Sequence, residues 1–263
     1  DITLRQLLSH RAGLPTLSVP KGTVYNDWRR RKDPLPQQRI EYVKGCLTQE
    51  PVYPPGTKVQ YSNFGFVIGG AIAERIAGEP WEELIKKRLF DPLGMTSATF
   101  GTQFTEKPVE PWPHTEKDGQ PVPVTIALEM DLPPVAGPAG IVRCSLSDWA
   151  KYASFWLKGL RGESDLLDPE TFQFLTTPPD SLKESGTDKG DGYSCGWRTA
   201  TRNWSRDTVF HHGGTNLKNY SKIWMAPAEN FAVLVVTNRG DALTPLDDVS
   251  AALSTELARL GRM

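Results

Sequence analysis

The order of segments in this chain predicts an α+β fold and not an alternating βαβ one. Three observations carry that reading. Apolar residues recur at helical spacing before about residue 160, strand-like runs gather between residues 192 and 237, and one more helical stretch closes the chain. The expected organisation is a mostly helical lobe with long loops over residues 1–190. An antiparallel sheet and a C-terminal helix over 191–263 complete it.

The elements follow in order. Thr3 stands as a cap before leucines at helical spacing, Leu4, Leu7 and Leu8, and Gly13 with Pro15 stops that helix. Residues 16–38 mix Pro, Gly and charge, including Arg29-Arg30-Arg31-Lys32, and read as a loop with a solvated basic face. After Pro54-Pro55-Gly56 the chain turns into Tyr61-Ser62-Asn63 and then a helix. Its apolar residues Phe64, Val67, Ile68, Ala71, Ile72 and Ile76 recur at three and four, and Gly78 ends it. Pro80-Trp81 opens another helix, Glu82 to Phe90, closed by Pro92 and Gly94. Residues 102–138 are Pro-rich and aperiodic, a surface excursion of the kind that walls a pocket. Ser147-Asp148 caps a helix through Leu157 that aligns Trp149, Tyr152, Ala153 and Trp156. Gly192 to Thr199, Thr208 to Gly213, Ser221 to Ala226 and Phe231 to Thr237 are expected strands, the last two joined by Pro227-Ala228-Glu229-Asn230. A helix from Pro245 to Leu260 ends the chain.

Composition narrows the partners. The 263 residues are 38% hydrophobic, enough for a sizeable core, and 30 basic against 31 acidic residues give a formal charge of −1. That balance offers no electrostatic footprint for nucleic acid or an anionic membrane, so a small molecule is the expected partner. The longest apolar run, Phe64 to Ala73, is about half of what a bilayer requires, and no transmembrane segment is expected. Cys46, Cys144 and Cys195 are odd in number and widely spaced, which argues against a disulfide framework or a Cys-x-x-Cys knuckle. Neither a cofactor nor a metal is expected, because the His211-His212 pair has no third ligand clustered with it in sequence.

An activated-serine hydrolase needs a nucleophile, a base and donors for an oxyanion. Tyr61-Ser62-Asn63, at a turn into an apolar helix, can hold a phenol and an amide rigidly; helix entry with Ser62 or Asn63 as the cap explains the triplet equally well. His211-His212-Gly213-Gly214-Thr215 follows the strand residues Val209-Phe210, and its glycines admit a substrate close to the backbone. Two serine motifs read as decoys. Ser18-Val19-Pro20-Lys21 has the Ser-x-x-Lys spacing, but Pro20 beside Gly22 is a poor opening for a helix. Gly192-Tyr193-Ser194-Cys195-Gly196 matches Gly-x-Ser-x-Gly, the signature of an α/β-hydrolase elbow with Ser194 as nucleophile. Strand-like residues follow it where that elbow needs a helix.

Together the segments are more specific than any one of them. Leu7-Leu8-Ser9-His10-Arg11-Ala12-Gly13-Leu14-Pro15 resembles the "LLxHxSGLP" stretch of the β-lactamase-like, penicillin-recognising serine hydrolases. Those include class C β-lactamases, D-alanyl-D-alanine peptidases and related esterases. Pro55-Gly56-Thr57 through Tyr61-Ser62-Asn63-Phe64-Gly65 resembles their "PGxxxxYSNxGY", and Pro92-Leu93-Gly94-Met95 their "PLGM". Ala139-Gly140-Ile141-Val142 with Ser147-Asp148 is similar to "AGGLxSTxxD", with Arg143-Cys144 departing from it. Gly192 to Trp197 resembles "YGYGW", and His211-His212-Gly213-Gly214 resembles "HxGG". Six landmarks in the family's order cover nearly the whole chain.

The resemblance implies a β-lactamase/transpeptidase-like fold whose N-terminal strands and nucleophile helix are missing from this sequence, because the family's Ser-x-x-Lys lies upstream of "LLxHxSGLP". It implies an acyl-enzyme reaction on an ester, amide or β-lactam. Tyr61 would be base or relay, Asn63 would orient the substrate or the lysine, and His211 would stand where relatives carry Lys or His. Gly213 and Gly214 would line the oxyanion hole, with Thr215 and Asn216 on the substrate. The missing segment, in the same or a second chain, is an expected partner. Lys218 in a polar turn reads as solvated, which favours an uncharged or weakly charged substrate. A pseudoenzyme or binding module is the alternative. The resemblance admits a periplasmic or secreted location, with no signal visible.

Overall fold

The computed structural model describes residues 1–16, 19–101, 111–124, 132–179, 192–240 and 242–261. Its helices are α1 (Leu4–Leu8), α2 (Tyr25–Arg30), α3 (Leu35–Cys46), α4 (Asn63–Ala77), α5 (Trp81–Ile85), α6 (Gly137–Gly140), α7 (Leu146–Leu160), α8 (Pro169–Thr176) and α9 (Leu243–Leu260). Its strands are β1 (Thr99–Phe100), β2 (His114–Lys117), β3 (Gln120–Pro123), β4 (Val142–Arg143), β5 (Gly192–Tyr193), β6 (Arg198–Ala200), β7 (Val209–Thr215), β8 (Tyr220–Ala226) and β9 (Phe231–Thr237). The helical first part, the antiparallel sheet and the closing helix agree with the predicted α+β class.

The chain gathers into two compact units. The first holds the described residues of Asp1–Thr102, Asp131–Asp148 and Pro179–Ser185, and the second those of Gln103–Met130, Trp149–Pro178 and Gly186–Met263. The chain thus crosses between units more than once, where the sequence suggested a single division after residue 190.

In the first unit α1 starts as expected, with Thr3 and Gln6 forming a reciprocal capping box. The region 16–38 is not all loop. Val24 N–H donates to Asp27 at 2.8 Å and starts α2, and that helix seats Trp28, which is 5% exposed, edge-on against Tyr42. Charge hid this helix in the sequence; one buried indole anchors it, a contribution of about 1.5–3 kcal/mol for such a side chain. The core gathers Leu7, Leu14, Tyr42, Phe64, Val67 and Val135. Arg39, fully buried on α3, donates to the Val135 carbonyl at 3.2 Å, to Glu82 at 2.6 Å and to Glu74. Burial pushes the Glu74 carboxyl up, against the opposing pull of the Trp81 N–H and Arg39. Gly65 is required where α4 crosses α1, because a Cβ there would sit 2.5 Å from the Leu7 carbonyl oxygen. Gly78, at φ 72, caps α4 in the left-handed conformation.

In the second unit β5 to β9 form an antiparallel meander in sequence order. The stretch expected as one strand, Gly192 to Thr199, is a hairpin. Gly196 takes φ 92, Ser194 N–H donates to the Trp197 carbonyl at 2.8 Å, and Tyr193 pairs with Arg198. Beyond Trp149, α7 brings Phe155 and Trp156 against Phe172 of α8, and Trp156 against Trp197. Gly159 makes room for Phe172, since a Cβ would lie 2.0 Å from that ring. Ala200, Val209, Ala226 and Ala258 share a second core with Trp204, so α9 packs small residues against the sheet. In the Pro-rich excursion β2 and β3 pair through an Asp118-Gly119 turn with both φ values positive, 52° and 74°.

Candidate active site

Tyr61, Ser62 and Asn63 stand at the entry to α4. Ser62, not Asn63, is the cap residue, with extended backbone at φ −150 and ψ 114. Its hydroxyl does not cap the helix; it donates to the Pro15 carbonyl at 2.7 Å, and Ser62 is 2% exposed. Gln60, on the other side of Tyr61, donates its side chain to Thr16 Oγ1. Tyr61 itself is 38% exposed, so the phenol of a firmly fastened segment meets solvent. Asn63 lines a small cavity with Tyr25, Tyr42, Phe64, Val67 and Leu132. The sequence therefore brings Tyr61 and Asn63 together on one rigid entry in the first unit.

The glycine-bearing strand lies in the second unit. Strand β8 pairs with β7 from Phe210 to Thr215, whereas β6 pairs with it only from Val209 to His211. Among the described residues the other edge of Gly213, Gly214 and Thr215 has no strand partner, and all three are exposed. Peptide groups on such an edge can take a substrate as an added strand or hold a developing oxyanion.

Strand alternation separates the two histidines. His211 pairs with Trp224 and stacks on it, ring centroids 4.1 Å apart, and its Nδ1 finds no hydrogen-bond partner among the described residues. Gly213 shares that face with Lys222, whose ammonium is ion-paired at 2.7 Å with Asp247 of α9. Burial first, then Lys222, Arg202 and Arg198, push the His211 imidazole down to about 3. His212 and Gly214 stand on the opposite face, paired with Ile223 and Ser221. His212 Nδ1 lies 2.7 Å from the Gly213 carbonyl, which can only accept, so Nδ1 carries the proton. Nε2 then accepts from the Tyr193 hydroxyl at 3.2 Å. Burial lowers the His212 pKa, against the opposing effect of the Gly213 carbonyl.

The structure thus does not bring His211 to the face that carries Gly214. It brings His212 there, with Tyr193, a partner that sequence reasoning missed although the "YGYGW" resemblance covers it. The oxygens expected on substrate are engaged in the turn after β7. Thr215 Oγ1 accepts from Leu217 N–H at 2.8 Å, and Asn216 Oδ1 accepts from Lys218 and Asn219 N–H groups at 3.1 and 2.9 Å. Ser194 is fully buried and its hydroxyl faces the Trp197 carbonyl at 3.1 Å, in a hairpin followed by β6, so no strand-to-helix elbow exists there. Ser18 lies outside the described residues. Among the described residues no three His, Cys, Asp or Glu side chains gather as a metal cluster, and no helix is long and apolar enough to cross a membrane.

This fold and these motifs define a β-lactamase/transpeptidase-type protein. The beta-lactamase family model matches residues 1–255, and the chain belongs to that family. It is similar to penicillin-binding protein 4 of Amycolatopsis lactamdurans, 25% identical over 98% of this chain and 65% of that protein. It is also similar to the unguisins hydrolase ungD' of Aspergillus campestris, 23% identical over 90% of this chain and 42% of that one. The chain thus spans less than two thirds of these relatives. Among solved structures, the D-stereospecific amidohydrolase of a Streptomyces species shares the fold, with TM-score 0.71 and 22% identity. That match covers 95% of this chain and 72% of the other.

Proposed function

We propose that these residues are the larger part of a serine hydrolase or transferase that works through an acyl-enzyme on an ester, amide or β-lactam. In this reading the nucleophilic serine and its lysine come from residues outside these 263. The observation that carries the reading is the fastening of Tyr61. A half-exposed phenol between two residues that are each hydrogen-bonded to the segment 10–16, Gln60 through Thr16 and the His10 carbonyl and Ser62 through Pro15 and His10 Nδ1, has the rigidity that proton transfer requires. Tyr61 accepts the serine proton and returns it to the leaving group, and Asn63 orients the substrate or the lysine. A free tyrosine titrates near about 10, so this role needs the cation of that lysine beside it.

His212 acts as a neutral proton-sharing partner of Tyr193 on the face of Gly214, while His211, expected where relatives carry Lys or His, stands on the opposite face. The Gly214 N–H serves the oxyanion, and Gly213 leaves room for the acyl group. With Asn216 closing its own turn, Thr215 and Asn216 shape the rim through the backbone and not through their side-chain oxygens. An uncharged or weakly charged ester or amide suits this lining, and the hydrolase and amidohydrolase names among the relatives point to the same chemistry.

The test is Tyr61→Phe in a form of the protein that carries the nucleophile, assayed on a short-chain aryl ester. Turnover is expected to fall by about a hundredfold or more, with circular dichroism and Tm unchanged. A full rate in that variant would remove Tyr61 from the chemistry.

A further inference from the structure

His10 does not enter the reaction outlined above, yet it is 2% exposed and holds a left-handed backbone at φ 57, unusual for a residue with a side chain. Such a conformation persists where its surroundings enforce it. Here they do so from both sides of one residue. The His10 carbonyl accepts from Gln60 N–H at 2.8 Å, and His10 Nδ1 accepts from Ser62 N–H at 3.2 Å. One histidine thus binds the peptide groups on either side of Tyr61. Its ring also lies against the Tyr61 ring, centroids 4.1 Å apart, and 5.5 Å from that of Phe66.

We propose that His10 is the positioning residue of Tyr61, a bracket that fixes the backbone on both sides of the phenol and supports the ring. The inference rests on the proposed role of Tyr61, but its geometry stands within one compact unit. Because Nδ1 accepts a peptide N–H, it carries no proton, and the ring is the neutral Nε2–H tautomer. The left-handed backbone is what turns carbonyl and ring toward the same segment.

This explains the residue type and predicts which replacements serve. Asparagine places an acceptor oxygen at the same bond distance from the backbone and tolerates positive φ. Phenylalanine keeps the ring and loses the acceptor.

The experiment compares His10→Asn with His10→Phe by two readouts. The first is amide exchange at Ser62, with a tyrosine-selective label on Tyr61, in the 263-residue chain. The second is the kcat against KM of the nucleophile-bearing form. In His10→Phe the Ser62 amide is expected to exchange about tenfold faster or more, because its opening no longer breaks a bond. Its kcat should fall by about tenfold or more with KM within about threefold, as misplacement of a proton-transfer group would cause. His10→Asn should restore slow Ser62 exchange and most of the turnover. The proposal is overturned by a folded His10→Phe with parental exchange and kcat, or by a His10→Asn as impaired as His10→Phe. A fully active Tyr61→Phe would instead strike the reading of Tyr61, and the exchange at Ser62 would still decide whether His10 fixes that segment.

Discussion

The loop around His10 buries an imidazole and the strand around His211 and His212 half-buries two, to different ends. At His10 a ring nitrogen receives a peptide N–H from the segment that carries Tyr61. At His211 no hydrogen bond reaches Nδ1 among the described residues, where an indole stacks on the ring and three cations lie near it. One residue further, His212 is bonded at both nitrogens. Burial alone therefore does not mark a functional histidine. What separates these three is the partners of their nitrogens.

Substituting the two strand histidines in turn would break this comparison most sharply. In the nucleophile-bearing form His212→Phe is expected to lower turnover by about tenfold or more, since it removes the acceptor of the Tyr193 hydroxyl. His211→Phe, which keeps an aromatic ring against Trp224, should stay within about threefold. The reverse order, measured as kcat on an aryl ester, would return the role to His211.

A smaller effect concerns stability. The folded chain holds the His211 pKa at about 3, below the ordinary 6.5, so between those values the unfolded chain binds a proton that the folded chain does not. Stability from this site is therefore complete above about pH 6.5 and declines as pH falls toward 3. His212 is shifted in the same direction and adds to the decline. Melting temperatures at pH 7 and pH 4.5 should separate less in His211→Phe than in the parent. An equal separation in the two proteins would show that His211 takes up its proton without cost.

Much of this was legible in the sequence, for identifiable reasons. Helix α4 was readable because Phe64, Val67 and Ile68 repeat at helical spacing and Gly78 ends the pattern. Helix α2 was not, because its six residues carry one buried apolar side chain among charges, too little to make a period. Gly192 to Thr199 looked continuous because the turn residue Gly196 sits among β-forming neighbours, and only its φ of 92 reveals the hairpin. The motif places Tyr61 and Asn63 at the entry to α4, whereas which of the adjacent histidines shares a face with Gly214 needed the strand register, since a shift of one residue exchanges the faces. Thr215 and Asn216 were ambiguous in the sequence for a different cause. Short polar side chains after a strand suit a ligand and a self-closing turn equally, and here the turn holds their oxygens.

The proposed acyl-transfer chemistry puts the base and the oxyanion-binding strand in these residues and the nucleophile outside them. The test is intact-mass analysis after incubation with a fluorophosphonate and, separately, with a labelled penicillin, on the 263-residue chain and on a form of the protein that carries the nucleophile. No adduct is expected on the 263 residues, and a stoichiometric adduct is expected on the nucleophile-bearing form at a serine outside them. A stoichiometric adduct on the 263-residue chain that maps to Ser18 or Ser194 would contradict it.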